Sequence, residues 1–174
     1  AQADVEQLAE HGGIPVINGL TDMYHPCQAL ADILTAYEHK GKLKGLKLAF
    51  IGDGNNVAHS LLIICSKLGM DVAIGHPKGY APDKLVVEFA KINREQTGHD
   101  SEILITNDPA LAIKDADIVY TDVFASMGQE GESQKRLQDF AGYQVNEKLY
   151  ALAHPDAIFM HCLPAHIGEE VTEG

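Results

Sequence analysis

The sequence LAFIGDGNNVAHSLLIICSKLG, residues 48–69, decides the fold. An apolar run ends in two glycines and is followed by an apolar segment with helical spacing, which predicts a strand, a tight turn and a helix. Gly52 and Gly54 allow the backbone to turn sharply and to approach a ligand closely. A helix that begins at Asn55 or Asn56 presents free N–H groups at its positive end. We therefore expect part of a ligand to lie at this turn.

The same alternation of strands and helices continues to the end of the chain. Five apolar runs rich in β-branched residues are separated by helical patterns, which predicts a parallel sheet covered on both faces. Because such crossovers are right-handed, the predicted fold class is α/β, with a doubly wound, five-stranded, Rossmann-like parallel sheet. The predicted strands are residues 47–51, 71–75, 102–106, 117–121 and 157–161, and the predicted helices are 25–39, 56–68, 83–97, 109–114, 135–141 and 145–152.

The start of the chain does not follow this alternation of strands and helices. A short helical pattern at residues 3–11 and a short apolar strand at 14–17 are typical of the remnant of a preceding domain, which we assign to residues 1–20. Residues 21–40 are predicted to form a helix between domains, and residues 41–174 the main domain.

Composition and charge exclude several classes of function. The 174 residues carry a net charge of −12 without a Lys/Arg-rich stripe, so we expect no nucleic-acid partner. No apolar run approaches the ~20 residues that span a bilayer, and no basic segment precedes an apolar core as in a secretory signal, so we expect no membrane partner. Three widely separated cysteines favour a reducing, cytoplasmic location over a disulfide framework.

The glycine-rich turn at residues 52–57 invites comparison with dinucleotide-binding motifs. The third glycine of that pattern is Val57 here, and the second strand ends in Gly75 and His76 without an acidic residue to hold a ribose. The turn therefore does not predict an NAD site. A purely structural turn is the alternative, since two consecutive asparagines suit turn geometry as well as ligand binding.

The start of the helix at 25–39 carries two polar side chains on one face. His25 and Gln28 are three residues apart, and they offer neutral donors beside the positive helix end, which suits a carbonyl or phosphate oxygen. The alternative is an ordinary helix cap and a solvated turn. Asp32, one turn later, is interpreted as a solvated or packing residue.

Asp122 stands where the backbone leaves the fourth predicted strand. A carboxylate at the carboxyl end of a strand can bind an ammonium group, and the loop that follows adds the hydroxyl of Ser126. A capping aspartate in a structural loop is the alternative.

Cys162 follows the last predicted strand and has His161 and His166 nearby. The pattern is compatible with a thiol nucleophile, a metal ligand or a buried core cysteine. Zinc requires more Cys or His ligands at regular spacing, so we expect no metal. Cys27 and Cys65 are interpreted as structural.

Taken together, these stretches resemble the ornithine branch of the aspartate/ornithine carbamoyltransferase family. The resemblance covers nearly the whole chain. The segments that carry it are HPCQ at 25–28, GDGNN at 52–56, DVFASMG at 122–128 and HCLP at 161–164.

The resemblance implies a reaction and a set of site residues. The reaction transfers the carbamoyl group of carbamoyl phosphate to the δ-amine of ornithine, giving citrulline and phosphate, as in arginine biosynthesis. The family needs no metal or organic cofactor and works as homotrimers, or multiples of them, with shared sites. By resemblance, the catalytic residues are Cys162 and Asp122, the ornithine-binding residues are Asn56, Asp122, Ser126 and Met127, and the carbamoyl phosphate-binding residues are His25, Gln28, Cys162 and Leu163.

Two departures from the family pattern bear on activity. The Ser-Thr-Arg-Thr-Arg phosphate loop and the later Arg-bearing segment are not in this sequence, and Ile167 stands where many bacterial relatives carry Arg. Only Lys78, Lys135 and Arg136 offer cations near strand ends, so we expect the chain by itself to be inactive. The alternatives are a relative that uses another amine, such as putrescine or an acylated ornithine, and a non-catalytic amino-acid-binding module.

Overall fold

The computed structural model describes residues 1–125 and 130–173. Within these residues five parallel strands form one sheet in the order β3-β2-β1-β4-β5, which confirms the predicted doubly wound α/β fold. The strands are β1 Lys47–Ile51, β2 Asp71–Gly75, β3 Ile103–Thr106, β4 Ile118–Thr121 and β5 Ile158–His161. The helices are α1 Gln2–His11, α2 Pro26–Lys40, α3 Asn56–Leu68, α4 Lys84–Thr97, α5 Pro109–Ile113, α6 Ser133–Asp139 and α7 Glu147–Tyr150, with a 3₁₀ turn at Glu130–Glu132.

Strand β1 lies at the centre of the sheet and pairs with both β2 and β4. Its residues Ala49, Phe50 and Ile51 are fully buried, as expected for a strand covered on both faces. The chain runs from β1 outward to β3 on one side and returns to β4 on the other, so the topological switch point lies between β1 and β4. In open α/β sheets, ligands bind in the crevice at the carboxyl ends of the strands at this point.

Helices cover both faces of the sheet. On one face, α2, α3 and α4 pack over a core that includes Phe50 stacked on Tyr120, with ring centroids 5.8 Å apart. On the other face, α5 and the segment around α6 and α7 pack over a core that includes Phe124 and Phe140, 4.6 Å apart. Both aromatic pairs lie close to the carboxyl ends of β1 and β4, so the crevice there has rigid walls.

The predicted strand at residues 14–17 is wrong. These residues adopt no regular secondary structure, and the side chains of Ile14 and Ile17 are 66% and 84% exposed. A strand is stabilised by hydrogen bonds to a neighbouring strand and by burial of one face, and nothing in the described chain supplies either here. Helix α7 is also shorter than predicted, ending at Tyr150.

None of the helices in the two described stretches is long and apolar enough to cross a membrane.

Candidate active site at the topological switch point

Asp122 lies directly after β4 at the switch point and is nearly fully buried. Its Oδ2 accepts a hydrogen bond from Asn55 Nδ2 at 2.7 Å. Its Oδ1 accepts from Cys162 Sγ at 3.0 Å and from the Val123 N–H at 2.8 Å. These bonds join the carboxyl ends of β1, β4 and β5, because Asn55 follows β1 and Cys162 follows β5. The carboxylate is therefore held in one orientation at the centre of the crevice.

Asp53, in the glycine-rich turn, is the second acidic side chain of this edge. It pairs with Arg136 of α6, with 2.7 Å between Oδ2 and Nη1, and both side chains are nearly buried. Arg136 also donates to the Phe124 carbonyl at 2.7 Å and lies 5.0 Å from the centroid of the Tyr80 ring. Burial raises the pKa of Asp53, and the hydrogen bond and charge of Arg136 oppose that rise.

The start of α3 differs from the expectation drawn from the sequence. Asn55 is the N-cap, and its Oδ1 accepts hydrogen bonds from the N–H groups of Val57 and Ala58. These N–H groups are therefore not free for a ligand. The Asn56 side chain is bonded to a different segment, because its Nδ2 donates to the Thr21 carbonyl at 2.8 Å.

Gly54 is required by the chain itself rather than by a ligand. A Cβ atom built on Gly54 would lie 2.1 Å from the Pro82 nitrogen, and the Gly54 N–H donates to the Tyr80 carbonyl at 2.9 Å. The close approach predicted for this glycine exists, but its partner is the segment between β2 and α4.

The environment of Cys162 favours the neutral thiol. Burial raises its pKa, and the charge of Asp122 and its hydrogen bond to the thiol raise it further. A thiolate nucleophile is consequently disfavoured. The geometry is that of a hydrogen-bond donor which orients the Asp122 carboxylate.

His25 and Gln28 lie at the start of α2, above a buried acidic side chain. Gln28 Nε2 donates to Asp32 Oδ1 at 2.9 Å. Asp32 is only 4% exposed, so of its two interpretations the packing residue is confirmed and the solvated residue is wrong. His25 Nδ1 is buried and has no partner among the described residues. The Asp32 charge also contributes to the raised pKa values of Tyr120 and Cys162, after burial as the main cause, so this corner adjoins the Asp122 network.

Asp122, His161 and Cys162 each offer one atom that could bind a metal, and these three atoms lie within 4.8 Å of one another. Both ring nitrogens of His161 are already engaged: Nδ1 accepts from the Leu163 N–H at 2.8 Å, and Nε2 lies 3.2 Å from Glu170 Oε1. Without His161, two ligands remain, which is fewer than a zinc site uses. The donor set therefore does not fit a metal.

Two of the residues predicted to hold ornithine, Ser126 and Met127, lie outside the described residues. Leu163, predicted to contact carbamoyl phosphate, is exposed and follows Cys162 with φ +61°, and the Leu163–Pro164 peptide is cis.

Sequence reasoning misses several residues of this edge. The cap position of Asn55 is recognisable from the turn, but its second bond to Asp122 is not. The sequence indicates Arg136 only as a cation near a strand end. Its partner Asp53 is 83 positions away in the chain, so no local pattern links the two residues. No local signal points to Glu170, which is fully buried.

Two family models match the chain. The family model described as aspartate/ornithine carbamoyltransferase, Asp/Orn binding domain, matches residues 44–174. The model described as aspartate/ornithine carbamoyltransferase, carbamoyl-P binding domain, matches residues 1–38.

Individual relatives are similar over nearly the whole chain. The ornithine carbamoyltransferase of Anoxybacillus flavithermus is 61% identical over 170 residues, which are 98% of this chain and 54% of that protein. The Bacillus subtilis enzyme of the same name is 61% identical over 97% of this chain and 52% of its own length. The solved ornithine carbamoyltransferase of Pyrococcus furiosus superposes with a TM-score of 0.90 at 55% identity, covering 98% of this chain and 54% of that one. The chain thus spans about half the length of the curated relatives it matches.

Proposed function

The chain belongs to the aspartate/ornithine carbamoyltransferase family, and from this premise we propose that it provides the ornithine-binding half of a carbamoyl transfer. In that reaction the δ-amine of ornithine attacks the carbamoyl carbon of carbamoyl phosphate. A C–N bond forms, the C–O bond to phosphate breaks, and the amine loses a proton to give citrulline.

One observation carries the proposal: Asp122 is a buried carboxylate at the switch point that receives only neutral donors within residues 1–125 and 130–173. Neutral donors hold such a group in place, and no cation of the described chain pairs with it. An ammonium group is its natural partner, because charge-assisted hydrogen bonds are about twice as strong as neutral ones. Ornithine has two ammonium groups to offer.

The surrounding side chains suit the chemistry of the second substrate. An amine with a pKa near ~10 is mostly protonated at neutral pH, so a carboxylate beside it can orient it and assist the loss of its proton. We assign to His25 and Gln28 the polarisation of the carbamoyl carbonyl, on whose oxygen negative charge develops. Cys162 and Leu163 would contact the same group from the other side of the crevice, and Asn56, Ser126 and Met127 stay predicted ornithine contacts.

Ornithine titration by calorimetry tests the role of Asp122. In the full-length protein we expect Asp122→Asn to weaken ornithine binding about 30-fold, the order lost with one charge-assisted bond, and to leave carbamoyl phosphate binding nearly unchanged. Asp117→Asn is the matched control. Asp117 precedes the same strand at its opposite end, and its Oδ2 accepts from the Lys47 N–H at 2.8 Å. Equal losses for both substrates, or an equal loss in the control, would contradict the proposal.

We also propose that the chain alone does not turn over. The phosphate of carbamoyl phosphate, which is the leaving group, needs cationic donors, and of the three cations near strand ends Arg136 is buried in its pair with Asp53. Citrulline formation by the purified chain should therefore lie at background, and rates comparable to those of full-length relatives would refute this statement. Ornithine binding without turnover in a full-length protein would instead favour the non-catalytic binding module.

Assembly and location are part of the same proposal. By family resemblance we propose that the full-length enzyme is a trimer-based homo-oligomer in the cytoplasm, with citrulline production serving arginine biosynthesis. Light scattering after size exclusion measures the first point, and a mass other than a multiple of three chains would contradict it.

A further inference from the structure

Glu170 is the buried acidic side chain that the proposed reaction does not use. It lies in the segment after the Cys162 loop and is 0% exposed. Its Oε1 accepts a hydrogen bond from the His166 N–H at 2.6 Å and lies 3.2 Å from His161 Nε2. Its Oε2 has no hydrogen-bond partner in the described part of the chain.

The two donors to Glu170 are the two ends of one loop. His161 is the last residue of β5, and His166 closes the loop that carries Cys162 and Leu163. The His161 ring continues the connection, because its Nδ1 accepts from the Leu163 N–H at 2.8 Å. That geometry requires the tautomer with a proton on Nε2, which then donates to Glu170.

The loop between these ends has little support of its own. Leu163 is 69% exposed and has φ +61°, a region that residues other than glycine seldom adopt. A loop in such a conformation needs groups outside it to hold it. Glu170 and the His161 ring supply hydrogen bonds on both sides of Cys162.

The segment that carries Glu170 is itself tied to the main domain. The Val145 N–H donates to the Glu170 carbonyl at 2.8 Å, and Gln144 Nε2 donates to the carbonyls of Gly168 and Glu169 at 2.9 Å each. Glu170 is therefore anchored by contacts outside the loop, next to the β-bridge between Val145 and Val171.

We propose that Glu170 is a positioning residue which, through the His161 ring and the His166 N–H, fixes the loop on both sides of Cys162 and so holds the thiol against Asp122. Burying a carboxylate with one unpaired oxygen is costly, and an apolar residue of similar size would serve packing alone at least as well. This role rests on the proposed function at one point only, the assignment of the carbamoyl group as the ligand that the loop contacts.

Hydrogen exchange of the Leu163 amide, followed by NMR on the full chain, tests the positioning role of Glu170 without any substrate. We expect Glu170→Ala to speed exchange at Leu163 about tenfold or more, as is expected when a charge-assisted hydrogen bond is lost. Glu170→Gln keeps an acceptor at the position of Oε1 and should restore most of the protection. Glu169→Gln is the matched control, since Glu169 is the half-exposed neighbour and its carboxylate lies 3.8 Å from the His166 ring nitrogen Nδ1 instead of at the His161 ring.

The ring signals of His161 give a signature that a merely structural role would not change. In the unaltered chain they should report a proton on Nε2 and an accepting Nδ1, and in Glu170→Ala this preference should be lost. If Glu170→Ala does not fold, His161→Phe keeps the ring shape, removes both bonds and should speed Leu163 exchange to the same degree. Unchanged Leu163 exchange in the folded variant overturns the positioning role of Glu170. Altered exchange together with an ornithine titration that contradicts the role of Asp122 overturns only the proposed function.

Discussion

Two buried aspartates stand at the same edge of the sheet, Asp53 after β1 and Asp122 after β4, and the chain satisfies them differently. Asp53 has a cation of its own, Arg136, at 2.7 Å. Asp122 receives an amide, a thiol and a backbone N–H, and no Lys or Arg of the described residues pairs with it. At this edge the chain itself supplies a cation for Asp53, whereas Asp122 is left to pair with a positively charged ligand.

The difference has an energetic meaning. An unpaired buried charge costs several kcal/mol, and a charged partner offsets this cost only where the geometry is good. Neutral donors orient Asp122 without cancelling its charge, so part of the cost persists until a cation binds. Asp53, in contrast, should matter for stability and little for substrate affinity.

The largest effect is expected where the internal pair is broken. Arg136→Met should lower the free energy of unfolding by about 3–5 kcal/mol, because it leaves Asp53 buried without a cation and the Phe124 carbonyl without its donor. Urea denaturation measures this loss.

The control is an ion pair of the same length on the surface. Lys91 Nζ lies 2.7 Å from Glu88 Oε1, but both side chains are largely exposed, so Lys91→Met should cost only about 0.5 kcal/mol. The double variant Asp53→Asn with Arg136→Met should recover part of the loss, since no unpaired charge then stays buried. A single-variant loss as small as that of the control would remove the distinction between the two aspartates.

A smaller effect is expected when a second charge is placed beside Asp122. Asn55→Asp keeps an oxygen that can cap α3 but replaces the amide donor with a carboxylate facing Asp122. We expect a loss of about 2 kcal/mol at pH 7, because like charges at contact repel in a partly buried site. The loss should shrink as the pH falls, because protonation of the introduced carboxyl group removes the repulsion.

The matched control is another asparagine cap without an acidic neighbour of this kind. Asn146 caps α7 by accepting from the Leu149 N–H, and Asn146→Asp should be close to neutral, since aspartate is as good a cap as asparagine. Thermal unfolding at pH 7 and pH 4 of both variants separates the two cases. Equal, pH-independent losses would indicate that the environment of Asp122 is not unusual.

Much of the fold is predictable because local rules determine it. Each strand contains an uninterrupted run of apolar residues, because a doubly wound sheet buries both faces of its strands. The glycine-rich turn marks the end of β1. The strand at 14–17 is predicted from four residues alone, and it fails because a strand also needs a neighbour to pair with.

The site is predictable only in part. Asp122 and Cys162 follow strand ends, and the carboxyl ends of parallel strands share one edge, so their proximity follows from topology. Arg136 and Glu170 depend on contacts between distant segments: Arg136 pairs across 83 positions, and Glu170 is fixed by Val145. Periodicity carries no information about such contacts, which is why the sequence indicates neither the buried pair of Arg136 nor the role of Glu170.

The smallest expected effect concerns the thiol that contacts Asp122. Burial and the Asp122 charge raise the pKa of Cys162 above the usual 9.0, so its alkylation rate should still be rising at pH 9 to 10. The measurement uses the chain with exposed Cys27 replaced by serine; Cys65 is fully buried, and its pKa is raised to about 12. A rate that levels off below pH 9 would mean that the charge of Asp122 is already neutralised within the chain.

The same alkylation measurement compares the two aspartates directly. Asp122→Asn removes the carboxylate that favours the protonated thiol, so the pKa of Cys162 should fall. Because the thiolate is the reactive form, the rate at pH 8 should increase by up to about tenfold for a pKa that is lower by one. The corresponding change at the other aspartate, Asp53→Asn, should leave this rate nearly unchanged, because the Asp53 carboxylate pairs with Arg136 and not with the thiol. A rate that responds equally to both substitutions would mean that the two carboxylates do not differ in the charge they present to the crevice.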